Sequence, residues 1–164
     1  MREERRAELR RRYLSLGTGE LTAAGTFAVV ALLAGPRLGG PDGVRALWSA
    51  VVPLLVVLVQ AGAYWLLART YVGRAPMPTA AAAAFRACRV ADVVVLAAGL
   101  AGVVVWWPGG VAGVLVAGVW AFGVVEYVNY FAVRLSWPAR TWLAGVRSRR
   151  VPRLVLDLRE ASAR

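Results

Sequence analysis

Hydrophobic residues fall into four long blocks along this chain, separated by short polar or glycine-containing connections. A helix rises about 1.5 Å per residue and a bilayer core is about 30 Å thick, so roughly 20 apolar residues are enough to cross it. The pattern predicts spans at about 15–35, 46–68, 88–107 and 110–133. The first reaches spanning length only if it begins near Leu14 or Gly17, which places Glu20 inside it. We therefore predict an all-α, integral membrane four-helix bundle, with residues 1–164 forming a single membrane domain.

The arginines predict the orientation of these helices. The chain has no lysine, and 18 of its 20 arginines lie on one predicted side, whereas only Arg37 and Arg45 lie on the other. The positive-inside rule then places both Arg-rich termini in the cytosol. The use of arginine alone, with abundant Ala, Gly and Val, is typical of a GC-rich bacterial genome, so we expect a multi-pass protein of the bacterial cytoplasmic membrane.

The net charge of +11 could also indicate nucleic-acid binding. However, the arginines lie beside hydrophobic blocks, where the orientation rule and attraction to anionic lipid already account for them. We expect anionic lipid at the cytosolic face as a partner, and we do not expect nucleic acid.

The segment 138–164 is predicted to be a cytosolic or interfacial tail. Val151, Leu154, Val155 and Leu158 share one helical face, whereas the arginines and Asp157 lie mostly elsewhere. This pattern is typical of a short amphipathic helix lying on anionic lipid. The alternative is a solvated tail that becomes helical only on a partner.

The residue types present exclude several kinds of chemistry. The chain has no histidine and a single cysteine, Cys88, so an intrachain disulfide, Cys–His catalysis and the usual zinc or haem ligand sets are excluded. We expect no cofactor, no metal and no catalytic residue.

Polar side chains inside the apolar blocks are costly in a membrane, and they mark either function or pairing. The candidate polar pocket comprises Glu20, Gln60, Tyr64, Arg89, Asp92, Glu126, Asn129, Tyr130 and Arg134. Each span contributes one group, Glu20, Gln60, Asp92 or Glu126, at roughly 9–14 Å from the nearest cytosolic arginine on its helix. These four groups are therefore predicted to form one layer, with Glu126 approaching Arg89, Asp92 or Gln60. The alternative is that the carboxylates pair with arginines only to fix helix register.

The fourth block ends in Glu126-Tyr127-Val128-Asn129-Tyr130-Phe131, followed by Arg134-Leu135-Ser136-Trp137-Pro138. These residues resemble the end of the last span in uncharacterised small four-span bacterial membrane proteins, where an E-Y-x-N-Y-F segment precedes an R-L-S-aromatic segment. The resemblance covers about a dozen residues and the four-span layout. It implies no activity, but it favours Glu126, Asn129 and Arg134 acting together.

Three functions remain open from the sequence. The first is a non-enzymatic membrane subunit or scaffold that binds a membrane-protein partner. The second is a small transporter or ion-coupled carrier, which would act as a homodimer with a cytosol-facing carboxylate pocket. The third is a lipid-modifying enzyme at the cytosolic interface, for which the chain supplies no nucleophile, metal triad or phosphate loop; we therefore favour a non-enzyme.

Reporter fusions test the predicted orientation. A reporter active only in the cytosol should work when fused after Arg164 and fail when fused at Gly39 in the first connection. The reason is that the arginine-rich side of the protein, which includes Arg164, is retained in the cytosol. Activity of a periplasm-only reporter at Arg164 would contradict this topology.

Overall fold

The structure is a computed structural model and describes residues 3–132 and 151–162. The helices are α1 (Glu3–Ala34), a 3-10 turn (Gly35–Arg37), α2 (Pro41–Tyr71), α3 (Thr79–Val105), α4 (Gly110–Phe131) and α5 (Arg153–Ser162). The first four are long and apolar enough to cross a membrane. The prediction of an all-helical bundle with four helices able to span a membrane is confirmed.

The first helix is longer than its hydrophobic block. It begins at Glu3 and continues through the arginine-rich segment, whereas the block alone predicted a start near residue 15. Its 32 residues extend for about 48 Å, well beyond the roughly 30 Å of a bilayer core. Glu, Arg, Ala and Leu are good helix formers, and Glu3 and Glu4 in the first turn suit the helix dipole. The N-terminal arginines therefore lie on a continuous extension of the first span.

Helix α2 lies at the centre of the bundle. Helices α1, α3 and α4 all pack against it, whereas they contact one another much less. A larger share of α2 is buried than of the other three spans, whose apolar side chains remain largely exposed on the outer surface. The fold is thus a central helix with three helices around it.

Glycines permit the closest helix crossings. A Cβ atom at Gly17 of α1 would lie 3.1 Å from the carbonyl oxygen of Gly62, and one at Gly62 would lie 3.1 Å from that of Gly17. The two backbones therefore meet at a reciprocal glycine contact, which a side chain at either position would force apart. This crossing joins α1 to α2 one turn from Glu20.

The α2–α3 contact depends on Pro53. Proline removes the helical N–H that would otherwise meet the carbonyl of Ser49. Gly99 packs over that carbonyl so closely that a Cβ atom would lie 2.5 Å from the Ser49 oxygen. Gly102 similarly faces the Ser49 hydroxyl. Gly99 and Gly102 therefore let α3 approach α2 closely at this point.

The contacts of the C-terminal helix differ from the lipid surface that the sequence pattern indicated. Residues 153–162 do form a helix, but Leu154, Val155 and Leu158 are buried against the bundle rather than open to lipid. Asp157 also lies on this buried face, only 3% exposed, whereas the sequence pattern placed it elsewhere. Burying a carboxylate is costly without partners, so the pattern alone could not place it inward.

Candidate functional site

One stretch of α2 donates side-chain hydrogen bonds to three other helices. Gln60, Tyr64 and Tyr71 lie on one face, because spacings of four and seven residues return to nearly the same side of a helix. Trp65 points about a quarter-turn away from Tyr64. We call these four residues the α2 donor strip.

The first contact of the strip joins α2 to α3. The Gln60 side-chain nitrogen donates to Asp92 Oδ1 over 2.8 Å. Asp92 is only 1% exposed, and both its Oδ2 atom and the Gln60 Oε1 atom are buried with no hydrogen-bond partner among the described residues. Asp92 is therefore enclosed by protein, and two acceptor oxygens of the pair lack a donor.

The second contact runs from α2 through α4 to α1. The Trp65 indole nitrogen donates to the Tyr130 hydroxyl over 3.2 Å, and that hydroxyl donates to Glu20 Oε1 in turn. Such chains strengthen each member by polarisation. Glu126 lies on the same side of α4, near Glu20, and accepts a hydrogen bond from Asn129.

The third contact anchors α5. The Tyr64 and Tyr71 hydroxyls donate to Asp157 Oδ2 over 2.9 and 3.2 Å, respectively. An Arg153 nitrogen lies 2.9 Å from Asp157 Oδ1. Burial raises the pKa of the Asp157 carboxyl, and the Tyr64 hydrogen bond and the Arg153 charge oppose that rise. The carboxylate thus has donors at both oxygens, which makes its burial possible.

Further contacts hold the same end of the bundle. Arg86 of α3 donates to the Ser162 hydroxyl over 2.5 Å, and Arg6 of α1 donates to the Gly73 carbonyl over 2.6 Å. Tyr127 of α4 donates to the Arg89 carbonyl over 3.3 Å. These bonds tie α3 to α4 and α5, and α1 to the connection that follows α2, at the arginine-rich end of the bundle.

A cavity of about 160 Å³ lies between α1, α2, α4 and the start of α5. One water molecule needs only about 10–15 Å³ of such space, so the cavity can hold a larger polar group. It is lined by Arg12, Leu16, Glu20, Tyr64, Trp65, Asn129, Tyr130, Pro152, Arg153 and Leu154. We call it the α5 cavity.

The structure brings only part of the predicted pocket together. Four of its members, Glu20, Tyr64, Asn129 and Tyr130, line the α5 cavity. The other members divide as follows: Gln60 and Asp92 form their own closed pair, Arg89 is exposed, Glu126 lies beside Glu20, and Arg134 is outside the described residues. That these residues work as one functional pocket stays a prediction.

The expected approach of Glu126 to Arg89, Asp92 or Gln60 stays a prediction. Within residues 3–132 and 151–162, the ion pairs are Arg45–Asp42 and Arg153–Asp157, and Asp92 is hydrogen-bonded to Gln60. The neighbours that the structure gives Glu126 are Asn129 of its own helix and Glu20 of α1. Depth along a helix does not determine the direction in which a side chain points.

Sequence reasoning missed Trp65, Arg12 and the residues of α5. Trp65 follows Tyr64 directly, and its indole N–H is a donor that a buried tryptophan usually satisfies. That signal was available from the sequence. The contribution of Pro152, Arg153 and Leu154 had no comparable signal, because it requires the tail to fold back on the bundle.

Comparisons with protein-family models, with curated proteins and with solved structures gave no match. In the described part of the chain, no group of three or more His, Cys, Asp or Glu side chains is arranged to hold a metal ion. What the site can bind therefore has to follow from the residues that line it.

The clamp on α5 can be tested with the Asp157→Ala variant. It leaves the buried Tyr64 hydroxyl without its acceptor, at a cost of about 1–3 kcal/mol, so α5 should detach more often. Hydrogen exchange of the α5 amides in detergent should then be at least tenfold faster. The matched control is Glu160→Ala, which changes an exposed carboxylate on the same helix. Equal exchange rates in the two variants would contradict the clamp.

Proposed function

We propose that this chain is a non-enzymatic membrane subunit or scaffold of the bacterial cytoplasmic membrane, with both termini in the cytosol. The observation that carries the proposal is the enclosure of Asp92, which is 1% exposed and bonded to Gln60. A carboxyl group held in this way joins two helices and has no contact with water. Its position fits a structural role.

The alternative of an ion-coupled carrier requires its carboxylates on a water-lined surface. In the described residues, the α5 cavity is lined by Glu20, whereas neither Asp92 nor Glu126 lines it. Glu20 itself accepts a hydrogen bond from Tyr130 and so links α1 to α4. These contacts favour carboxylates that hold helices together over carboxylates that pass an ion between them.

The outer surfaces of α1, α3 and α4 support a role in assembly. They expose large apolar side chains along much of their length, including Leu33, Val94 and Leu115. An open apolar groove between α1 and α4 is lined by Phe27, Val114, Leu115, Gly118, Val119 and Phe122. Lipid chains or the apolar helices of a membrane partner cover surfaces of this kind.

A lipid-modifying enzyme has less support. Such an enzyme needs a nucleophile or general base close to a site for the reacting atom. The only thiol, Cys88, is half-buried within α3 and does not line the α5 cavity. The carboxylate that does line it is engaged by Tyr130.

Two measurements separate a subunit from a carrier. Native mass analysis of the protein extracted with its surrounding membrane should give a complex heavier than the 17.6 kDa chain, with a mass that is not a multiple of it. Vesicles that contain the purified chain and a fluorescent pH indicator should dissipate a proton gradient no faster than vesicles containing Asp92→Asn.

The outcomes that would contradict the proposal are equally specific. A monomer or a homodimer as the sole species in the membrane extract would argue against a subunit. Proton or cation flux that depends on the protein and disappears in Asp92→Asn would favour the carrier. The Asp42→Asn variant is the matched control for flux, because Asp42 is exposed at the start of α2 and pairs with Arg45.

A further inference from the structure

The α5 cavity has a cationic side, lined by Arg12 and Arg153, and an anionic side, lined by Glu20. We propose that it binds the headgroup of a zwitterionic aminophospholipid, a phosphodiester joined to a primary ammonium group. This inference is independent of the subunit role, since a scaffold or a carrier could equally hold a lipid at this position.

The cationic side of the cavity is formed by Arg12 of α1 and Arg153 of α5. Arg153 uses one terminal nitrogen on Asp157, and its side chain remains 44% exposed. A guanidinium has five N–H donors, so other donors remain available to a ligand after that contact. Two guanidinium groups from different helices that border one cavity suit the oxygens of a phosphodiester.

The buried Asp157 explains why Arg153 lies at this border. The tyrosine hydroxyls hold Asp157 Oδ2, and Asp157 Oδ1 in turn holds Arg153. Asp157 also offsets the charge of Arg153. The positive charge of the cavity is therefore partly neutralised. A small anion without a positive group should bind there less tightly than it would to two unpaired arginines.

The side of the cavity that Glu20 lines suits an ammonium group. Glu20 supplies a carboxylate that the Tyr130 hydroxyl holds in place, and Trp65, which donates to the same hydroxyl, supplies an aromatic ring. A cation gains from both a carboxylate and an aromatic face. A primary ammonium can also donate hydrogen bonds to the second Glu20 oxygen, which a trimethylammonium cannot do.

The position of the cavity favours a lipid over a soluble phosphate compound. Leu16 and Leu154 add apolar surface to its lining. Arg12 precedes the first hydrophobic block and Glu20 lies eight residues further on, roughly 12 Å along α1. The cavity therefore extends from the arginine level into the first turns of the span, which is where a phospholipid carries its headgroup.

Lipid binding to the purified full-length chain tests the proposal. Phosphatidylethanolamine, phosphatidylglycerol and phosphatidylcholine are titrated separately into delipidated protein in detergent, and bound lipid is counted by native mass spectrometry. The wild-type chain should bind phosphatidylethanolamine about tenfold more tightly than the other two, because only that headgroup matches both sides of the cavity.

Two variants test the anionic and the cationic side of the cavity separately. Glu20→Gln keeps an acceptor for Tyr130 but removes the negative charge, so it should abolish the preference for ethanolamine over glycerol headgroups. Arg12→Gln should weaken binding of all three lipids by about tenfold, since each contains a phosphate. Arg11→Gln is the matched control, because Arg11 is the exposed neighbour of Arg12 and does not line the cavity.

Each contrary result overturns the proposal. Equal affinity of the wild-type chain for ethanolamine and glycerol headgroups would remove the ammonium site, and an unchanged preference in Glu20→Gln would do the same. Equal losses of lipid affinity in Arg11→Gln and Arg12→Gln would show that lipid is attracted by the general surface charge rather than bound in the cavity. Displacement of bound lipid by micromolar phosphoethanolamine would assign the cavity to a soluble ligand.

Discussion

A polar side chain inside a bilayer must find its hydrogen-bond partner within the protein, because hydrocarbon offers none. In this chain the partners come from the α2 donor strip of Gln60, Tyr64, Trp65 and Tyr71. The strip reaches acceptors on α3, α4 and α5, and through Tyr130 the chain of bonds continues to α1. The arrangement places the most buried helix at the centre and makes each outer helix depend on it. Apolar side chains do not select a partner helix in this way, because a leucine is about as well surrounded by lipid as by another helix.

The four long apolar helices could be predicted because hydrophobic length is a local property of the sequence, although α3 begins at Thr79 rather than at the predicted residue 88. The start of α1 could not, since its arginine-rich segment is polar and only its helix propensity continues the span. The burial of α5 could not be predicted either. Its apolar face suits a membrane surface and a protein surface equally well. The carboxylate of Asp157 makes burial of this helix costly unless it finds hydrogen-bond partners. The Tyr64 and Tyr71 hydroxyls and the Arg153 guanidinium make the burial of Asp157 possible, and the tyrosines meet Asp157 only in the folded protein.

In the candidate site, the depth of a residue along its helix could be predicted from the sequence, whereas the direction of its side chain could not. Distance from the flanking arginines placed Glu20 and Glu126 at one level, and the structure joins Glu20 by a hydrogen bond to Tyr130, one turn from Glu126. Rotation about each helix axis was not available from one sequence, so the nearness of Glu126 to Glu20 of α1 was not predicted. Helix α5 contributes Arg153 to the cavity, and no pattern within the spans could anticipate a lining residue from the tail. These contacts depend on tertiary packing, which periodicity does not encode.

The measurement that tests the central role of the donor strip is the stability of two Asp92 variants in detergent, compared by denaturant titration. An asparagine side chain keeps an acceptor for Gln60 and adds a donor for the unpartnered Gln60 Oε1 atom, so Asp92→Asn should be as stable as the wild-type chain or more so. Asp92→Ala leaves the Gln60 amide buried without a partner and should lower the free energy of unfolding by about 1–3 kcal/mol. Asp92→Ala no less stable than Asp92→Asn would contradict the account.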